Sequence, residues 1–452
     1  MFKRKIYDDI RHWKEYANGT SALLLEGARR VGKSTIVQEF ARNEYRSYIL
    51  IDFSLVSDEF KEIFLDTRNN LDEFFMYLSA TYRTTLYNRE SLIIFDEVQL
   101  FPPARQLIKQ LVLDGRYDYI ETGSLISIKE NVSQILIPSE EESLHMHPMD
   151  FEEFLWAIGE EQLASLIRVC FDQKSPLPDD LHRRSMRLWR EYMLVGGMPQ
   201  AVDAYVKERD FLKVDRVKKK ILKLYRDDIE KYGGTASKRI KAIFDAMPGQ
   251  LSKHEKKLVY TEVSAGARSR DFATAFTWLG EAAMVNLCTL STDPSLGLAL
   301  SENETSVKCY CADTGLLSAM AFPSTRGVIA DTYRQVLLGN VGVNEGMLVE
   351  NAVAQQLVAQ GHRLFFYSNT SKKREERMEI DFLLVRSFED AAMKPRISPV
   401  EVKSGRTYSL VSLGKFKKKF GKKVGTEFVV HPKSLTVDGN RVFIPLYMAH
   451  ML

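Results

Sequence analysis

Gly27-Ala28-Arg29-Arg30-Val31-Gly32-Lys33-Ser34 is the stretch on which the reading of this chain turns. It fits G-x-x-x-x-G-K-[ST] at every specified position, and its flanks agree. Leu23-Leu24-Leu25 precedes it as a short buried strand, and Thr35 to Ala41 continues as a helix with Ile36, Val37, Phe40 and Ala41 spaced to face a core. Gly27 and Gly32 let the backbone curl so that successive N–H groups point at phosphate oxygens, and the helix N-terminus adds a favourable dipole. Lys33 brings a point charge to the β- and γ-phosphates, and the Ser34 hydroxyl is a ligand for Mg²⁺. The expected nucleotide-binding run is therefore Gly27, Ala28, Arg29, Arg30, Val31, Gly32, Lys33, Ser34 and Thr35, with ATP and Mg²⁺ as ligands.

Around this loop the chain reads as a globular protein of several domains. Its 452 residues exceed one ordinary core. A hydrophobic share of 45% and a charged share of 27% suit an aqueous fold, and no run of about eighteen apolar residues predicts a membrane span. The basic start, Met1 to Ile10, lacks the apolar core of a signal peptide. Cys170, Cys288, Cys309 and Cys311 are scattered, with no second pair to complete a zinc site beside Cys309 and Cys311. A reduced, cytoplasmic setting is expected. The net charge of +3 is almost neutral, so a nucleic-acid reading must rest on local clusters.

Within residues 1–149, the pattern Ile6, Ile10, Trp13, Tyr16 predicts an N-terminal helix with one apolar stripe. Ser47 to Phe53 is a second strand, and Leu71 to Tyr87 has helical periodicity. Ser91-Leu92-Ile93-Ile94-Phe95-Asp96-Glu97 has the Walker B form, four apolar residues ending in two acids. A fully buried parallel strand reads as continuous apolar sequence, and its C-terminal end opens into the ligand crevice. Asp96 is placed to hold Mg²⁺ through water and Glu97 to polarise the attacking water. The strand Tyr117 to Ser124 ends in small polar residues, and Thr122 and Ser124 are both candidates to sense the γ-phosphate.

These motifs, with those that follow in order, resemble the bacterial and archaeal AAA+-type P-loop ATPases that carry a C-terminal domain of uncharacterised function. The signposts are GARRVGKST, LIIFDE, ETGS and His147-Pro148-Met149-Asp150-Phe151-Glu152-Glu153-Phe154-Leu155. Further on come Val195-Gly196-Gly197-Met198-Pro199, Tyr225-Arg226-Asp227-Asp228-Ile229 and Tyr310-Cys311-Ala312-Asp313-Thr314-Gly315-Leu316-Leu317. The resemblance implies an α/β fold: a parallel-sheet P-loop NTPase (AAA+-like) domain over 1–149, a helical lid over 150–232, and further domains beyond. A lid closing on nucleotide brings a basic residue to the phosphates, and Arg226 is the candidate. Lys218-Lys219-Lys220 reads as the solvated face of a helix. Over 233–320, helix signals at Ile240–Met247, Tyr260–Ala265 and Arg270–Glu281 precede β segments near Val285–Leu290 and Val307–Cys311. That is the order of a winged helix, either a duplex-DNA reader with Arg268, Arg270 and Asp271 on its third helix or a connector between domains.

In 321–452 a helix from Asn344 to Gly361 carries Glu350. Strands follow at Leu364-Phe365-Phe366-Tyr367, Glu379-Ile380-Asp381-Phe382 and Pro399-Val400-Glu401-Val402-Lys403. The order Glu, Asp, Glu-x-Lys resembles the PD-(D/E)XK nuclease core, which implies an α/β restriction-endonuclease-like domain. Residues two apart on a strand share a face, so Glu401 and Lys403 project together. Asp381 and Glu401 are the candidate Mg²⁺ ligands, Lys403 the residue that orients a nucleophile, and Glu350 a further acid for the same centre. The same pattern also fits a half-exposed strand. Lys415, Lys417, Lys418, Lys419, Lys422 and Lys423 then form either a track for a DNA backbone or a solvated helix face. The sequence thus supports an ATP-hydrolysing, nucleic-acid-linked protein. Its rival is a nucleotide-dependent switch that presents a surface to a protein partner and cuts nothing; a small-molecule kinase suits the long C-terminal extension less well.

Overall fold

Leu23-Leu24-Leu25 lies within a buried strand, β1 (Ala22–Gly27), and the helix after the phosphate loop is Lys33–Glu44. The computed structural model describes residues 1–124, 139–253, 269–294, 297–322, 326–339, 343–371, 373–386 and 396–452. The expected helix at Tyr260–Ala265, with Arg268 and the side chains of Arg270 and Asp271, lies outside them. The chain divides into two units, Met1–His147 with Glu281–Ala283 and Pro148–Gly280 with Met284–Leu452.

The first unit is built on a five-stranded, all-parallel sheet in the order β2-β3-β4-β1-β5. Its other strands are β2 (Ser47–Asp52), β3 (Ser91–Asp96), β4 (Asp118–Thr122) and β5 (Glu141–Met146). Helices cover both faces, which is why β1, β3 and β4 are almost wholly buried. One core cluster gathers Phe53, Phe64, Phe74, Phe95 and Phe101, and the other gathers Leu23, Leu25, Val37, Phe40 and Trp13. The N-terminal helix, Ile6–Ala17, buries Ile6, Ile10, Trp13 and Ala17, while Tyr16 is exposed. At 3.6 residues per turn Tyr16 falls roughly 80° off the stripe that the other residues define, and Ala17 takes the place expected for it.

The second unit holds an eight-stranded mixed sheet in the order β12-β13-β11-β10-β9-β8-β6-β7. β6 (Val285–Ser291) and β7 (Glu302–Cys311) pair antiparallel, and β6 pairs parallel with β8 (Leu364–Asn369). The sheet continues through β9 (Met378–Arg386), β10 (Arg396–Val402), β11 (Glu427–His431), β12 (Thr436–Asp438) and β13 (Arg441–Pro445). The β segments expected as the wing of a winged helix are therefore strands of the same sheet as the C-terminal domain. The physical reason is visible in β7, where Val307, Lys308, Cys309, Tyr310 and Cys311 are all buried. A two-stranded wing has one face open to water and does not bury both faces of a strand. The sheet also crosses the domain boundary expected at residue 320.

Three of the loose sequence motifs meet in this unit. Gly197 donates its N–H to Asp313 Oδ2 at 2.5 Å, and Asp313 Oδ1 also caps the helix Thr314–Ala321 by accepting from Leu316 N–H at 2.8 Å. A Cβ on Gly196 would lie 2.3 Å from Asp313 Oδ1, one on Gly197 2.1 Å from the Met149 carbonyl oxygen, and one on Gly315 2.3 Å from that of Val195. The long helix Val343–Ala359 stitches this node from outside: Gln356 accepts from Phe151 N–H and Gln355 from Thr314 N–H, each at 2.8 Å. Lys218, expected in water, is fully buried on the helix Phe211–Tyr232 and donates to Leu194 O, Ser318 Oγ and Tyr333 Oη at 2.6, 3.0 and 3.1 Å. It falls on the i, i+4, i+7, i+11 stripe of Val214, Ile221 and Tyr225, so helical phase overrides the charge run.

Asp313→Ala removes a helix cap and strands the buried Gly197 N–H. It should cost about 2–4 kcal/mol in urea unfolding. Asp313→Asn, which keeps one acceptor, should lose less. Equal losses in the two variants would show that the acceptor is not what matters.

Candidate functional site

The phosphate loop is closed by close backbone approaches. Gly27 has φ 145° and Gly32 φ 106°, with Arg30 left-handed at φ 70°. A Cβ on Gly27 would lie 2.3 Å from the Met146 carbonyl oxygen of β5, so only glycine fits there. Lys33 opens the helix and is only 8% exposed. Its Nζ donates to the Gly27 and Ala28 carbonyls at 3.0 and 3.1 Å, which leaves one of its three protons without a hydrogen bond among the described residues. Burial pushes its pKa down to about 8, against the pull of Glu97 and Asp96. A buried ammonium in this state gains from an anion.

Asp96 ends β3 and is buried. Ser34 Oγ donates to its Oδ1 at 2.8 Å, and Thr122 Oγ1 donates to the same oxygen. β4 lies between β1 and β3, so its last residue falls between the phosphate loop and Asp96. That position, and the hydrogen bond, belong to Thr122. Burial raises the Asp96 pKa, and the two hydroxyl donors pull it back part of the way. Glu97 follows in a left-handed turn at φ 54°, strained by about 1–2 kcal/mol for an L-residue, and accepts from Gln99 Nε2. Ser34, Thr122 and Asp96 make a set of hard oxygen donors beside a buried lysine, which suits Mg²⁺ held partly through water. When bound, that ion neutralises phosphate charge.

One residue here carries no sequence signal. Arg4, buried ahead of the first helix, donates to the Val31 carbonyl of the loop at 3.2 Å and to the His147 carbonyl at 2.6 Å. It ties the loop to the end of β5. His147 is pushed down to about 3 by burial, His145 and Arg4, so it is neutral there. A lone arginine in a basic N-terminal stretch has no spacing that would mark it.

Arg226 lies in the second unit, where its guanidinium pairs with Asp245 of the helix Ser237–Leu251 at 2.8 Å. Of the six lysines near residue 420, four have acceptors within the unit. Lys415 bonds the Arg374 and Arg377 carbonyls, Lys417 pairs with Glu427, Lys419 bonds Tyr367 Oη and Lys423 pairs with Asp293. Lys418 and Lys422 are exposed on the same segment.

The C-terminal candidates do come together, and sequence reading missed their central member. Lys308 of β7 is 1% exposed, with Nζ 2.6 Å from Glu379 Oε1, 3.7 Å from Glu350 Oε1 and 3.9 Å from Asp381 Oδ1. Tyr310, two residues on and so on the same face, donates to Glu350 at 2.5 Å. Lys403 pairs with Glu401 Oε1 at 2.7 Å, and Asp381 Oδ2 accepts the Val402 N–H at 2.8 Å. Burial raises the Glu401 pKa against Lys403; burial draws Lys403 down, but Glu401 turns its net shift upward. Asp381 and Glu401, the expected Mg²⁺ ligands, both lie in this cluster. Their oxygens are engaged by Lys308, Lys403 and a backbone N–H, leaving only Glu401 Oε2 buried without a hydrogen bond. Among the described residues no three His, Cys, Asp or Glu side chains are arranged to hold a metal.

Residues 19–155 match the family model described as AAA domain. Residues 186–326 and 345–449 match two domains of unknown function (DUF8612 and DUF4143). A Walker-type ATPase of Pyrococcus abyssi is similar at 15% identity, covering 71% of this chain and 96% of that one, with a TM-score of 0.42. The Aeropyrum pernix Orc1 protein, solved in complex with DNA, is similar at 13% identity over 73% of this chain and 94% of that one, with a TM-score of 0.29. No curated protein matches the chain. Among the described residues, no helix is long and apolar enough to cross a membrane. With its parallel sheet and phosphate loop, the segment 19–155 has the fold of a P-loop nucleotide-binding domain and is similar to the AAA domain family.

Phosphate binds the protonated form of Lys33, whose pKa without ligand is about 8. Below that pH the ammonium is already present and nucleotide affinity should be flat. Above it, binding must also take up a proton, and affinity should fall by up to about tenfold per pH unit. Titrating a fluorescent ATP analogue across this range checks the sign; an affinity that rises above the Lys33 pKa contradicts it.

Proposed function

We propose that the chain binds and hydrolyses ATP with Mg²⁺ at Gly27–Thr35, and that the cycle drives a nucleic-acid-linked role of its C-terminal domain. One observation carries the first half: Ser34 and Thr122 converge on the Asp96 carboxylate beside a buried, incompletely bonded Lys33. Lys33 and the loop N–H groups hold the β- and γ-phosphates, and Arg4 keeps the loop in shape. Asp96 and Ser34 would hold the ion. Glu97, next in the chain and turned by its left-handed backbone, orients the attacking water and takes its proton. Thr122, bonded to Asp96, senses loss of the γ-phosphate. Arg226 acts in trans or after rearrangement, leaving Asp245 for the phosphates.

The second half rests on the basic segment at 415–423, with Lys418 and Lys422 as its backbone contacts and the paired lysines joining by exchange of partners. The rival reading is a switch that binds a protein and no nucleic acid. Duplex DNA affinity measured against salt, with and without ATP, separates them: a steep slope that changes with nucleotide supports the first reading, and no binding at low salt supports the second. A nuclease role for Glu350, Asp381, Glu401 and Lys403 is the rival that would need a divalent ion to enter at Glu401 Oε2, the oxygen of these acids that is buried without a hydrogen bond. It predicts cleavage lost in Asp381→Ala and in Lys403→Ala.

Lys33→Ala should abolish Mg²⁺-dependent phosphate release. Glu97→Gln should slow it by about 10²–10⁴-fold while leaving ATP bound. Equal turnover by wild type and the Lys33 variant ends the hydrolysis proposal.

A further inference from the structure

We propose that Lys308 is the resident cation of the C-terminal domain, gathering Glu350, Glu379 and Asp381 in place of a divalent ion. The two lysines play different parts. Lys403 and Glu401 are an ordinary pair two residues apart on one strand end. Lys308 instead reaches carboxylates at three places, one on the helix Val343–Ala359 and two on β9. Its approach to Glu379 is close but not aligned as a hydrogen bond, so the ammonium is held by charge rather than by directed donors. That is how a spherical ion is held. The ring of Phe366 lies 5.0 Å from Nζ and closes the remaining side with an electron-rich face. A divalent ion entering here would meet an ammonium already at the focus of the acids.

The charge count points the same way. Glu350, Glu379, Asp381 and Glu401 stand against Lys308 and Lys403, and the one buried oxygen of the four acids without a hydrogen bond is Glu401 Oε2. Without Lys308, Glu350, Glu379 and Asp381 would lose the cation that lies within 4 Å of all three. A site of that kind either repels itself apart or recruits a divalent cation of hard-oxygen preference, Mg²⁺ or Mn²⁺. This inference does not depend on ATP hydrolysis, and its test avoids the phosphate loop by using full-length protein carrying Asp96→Asn.

In that background, Mn²⁺ binding read by electron paramagnetic resonance should be absent from the cluster that keeps Lys308 and should appear in Lys308→Ala. Adding Asp381→Asn should remove it again. Lys308→Gln, which keeps most of the side chain and a neutral donor, is the second variant. Its unfolding midpoint should rise on adding Mn²⁺, while that of the protein with Lys308 should not. Mn²⁺ bound with Lys308 present and lost in Asp381→Asn would overturn the proposal. So would equal Mn²⁺ shifts, or none, in the proteins with and without the Lys308→Gln substitution; if Lys308→Ala does not fold, this comparison decides.

Discussion

An ammonium taken out of water must be surrounded by acceptors, and three lysines of this chain meet that constraint in three ways. A buried ion costs several kcal/mol unless its partners make up the loss. Lys218 has three neutral acceptors for three protons, and its coordination is complete. Lys308 has carboxylates instead; burial draws its pKa down, but Glu350, Glu379 and Asp381 turn the net shift upward. Lys33 has two carbonyls, and burial leaves it lowered to about 8. Of the three, Lys33 alone both lacks an acceptor and sits at an open helix N-terminus. The same physical cost that makes Lys218 and Lys308 structural makes Lys33 ready for a phosphate.

The strand order gives that readiness its shape. Because β4 is inserted between β1 and β3, the acid strand is not adjacent to the loop strand. The gap is bridged by hydroxyls, Ser34 from the helix and Thr122 from β4, both on one oxygen of Asp96. On the proposed reading, a change at the phosphates would reach β4 through a single carboxylate. Arg4 and the Gly27 approach to Met146 fix the other side of the loop, so the loop is held at both ends.

What was legible in the sequence was local. The phosphate loop is eight consecutive residues whose side chains and backbone act together, and Asp96-Glu97 ends one apolar strand. Both could be read from spacing alone. Lys308 could not, because its partners lie 42, 71 and 73 positions further along the chain, at Glu350, Glu379 and Asp381. Nothing in Val307-Lys308-Cys309-Tyr310 separates it from a strand lysine in water. Lys218 was legible in principle, since its phase on the helix places it with Val214, Ile221 and Tyr225, but a run of three lysines argued more loudly. The larger sheet that takes in the expected wing strands was hidden for a different reason. β6 finds its second neighbour in β8, more than seventy residues later, and no local pattern in the sequence marks that pairing. The glycines of Gly196-Gly197 and Gly315 were visible as letters. Their purpose, letting three backbones pass within reach of one Asp313 carboxylate, is tertiary.

The two charged clusters differ in where they leave room for chemistry. The nucleotide site lies at the C-terminal ends of parallel strands, where an open sheet presents a crevice. The Lys308 cluster lies under a helix on the face of a mixed sheet, and only its outer members are reachable: Glu379 is 33% exposed and Lys403 21%, against 1% for Lys308. A ligand arriving there meets Lys403 and the edge of Glu379 first, and the inner acids are already drawn to Lys308. If the resident charge is fixed in this way, the proposed contact with a phosphate backbone would rest on Lys403 and the exposed Lys418 and Lys422, with no ion to carry it. On that proposal any binding by this domain would use charge that folding supplies, and the proposed Mg²⁺ requirement would belong to the phosphate loop.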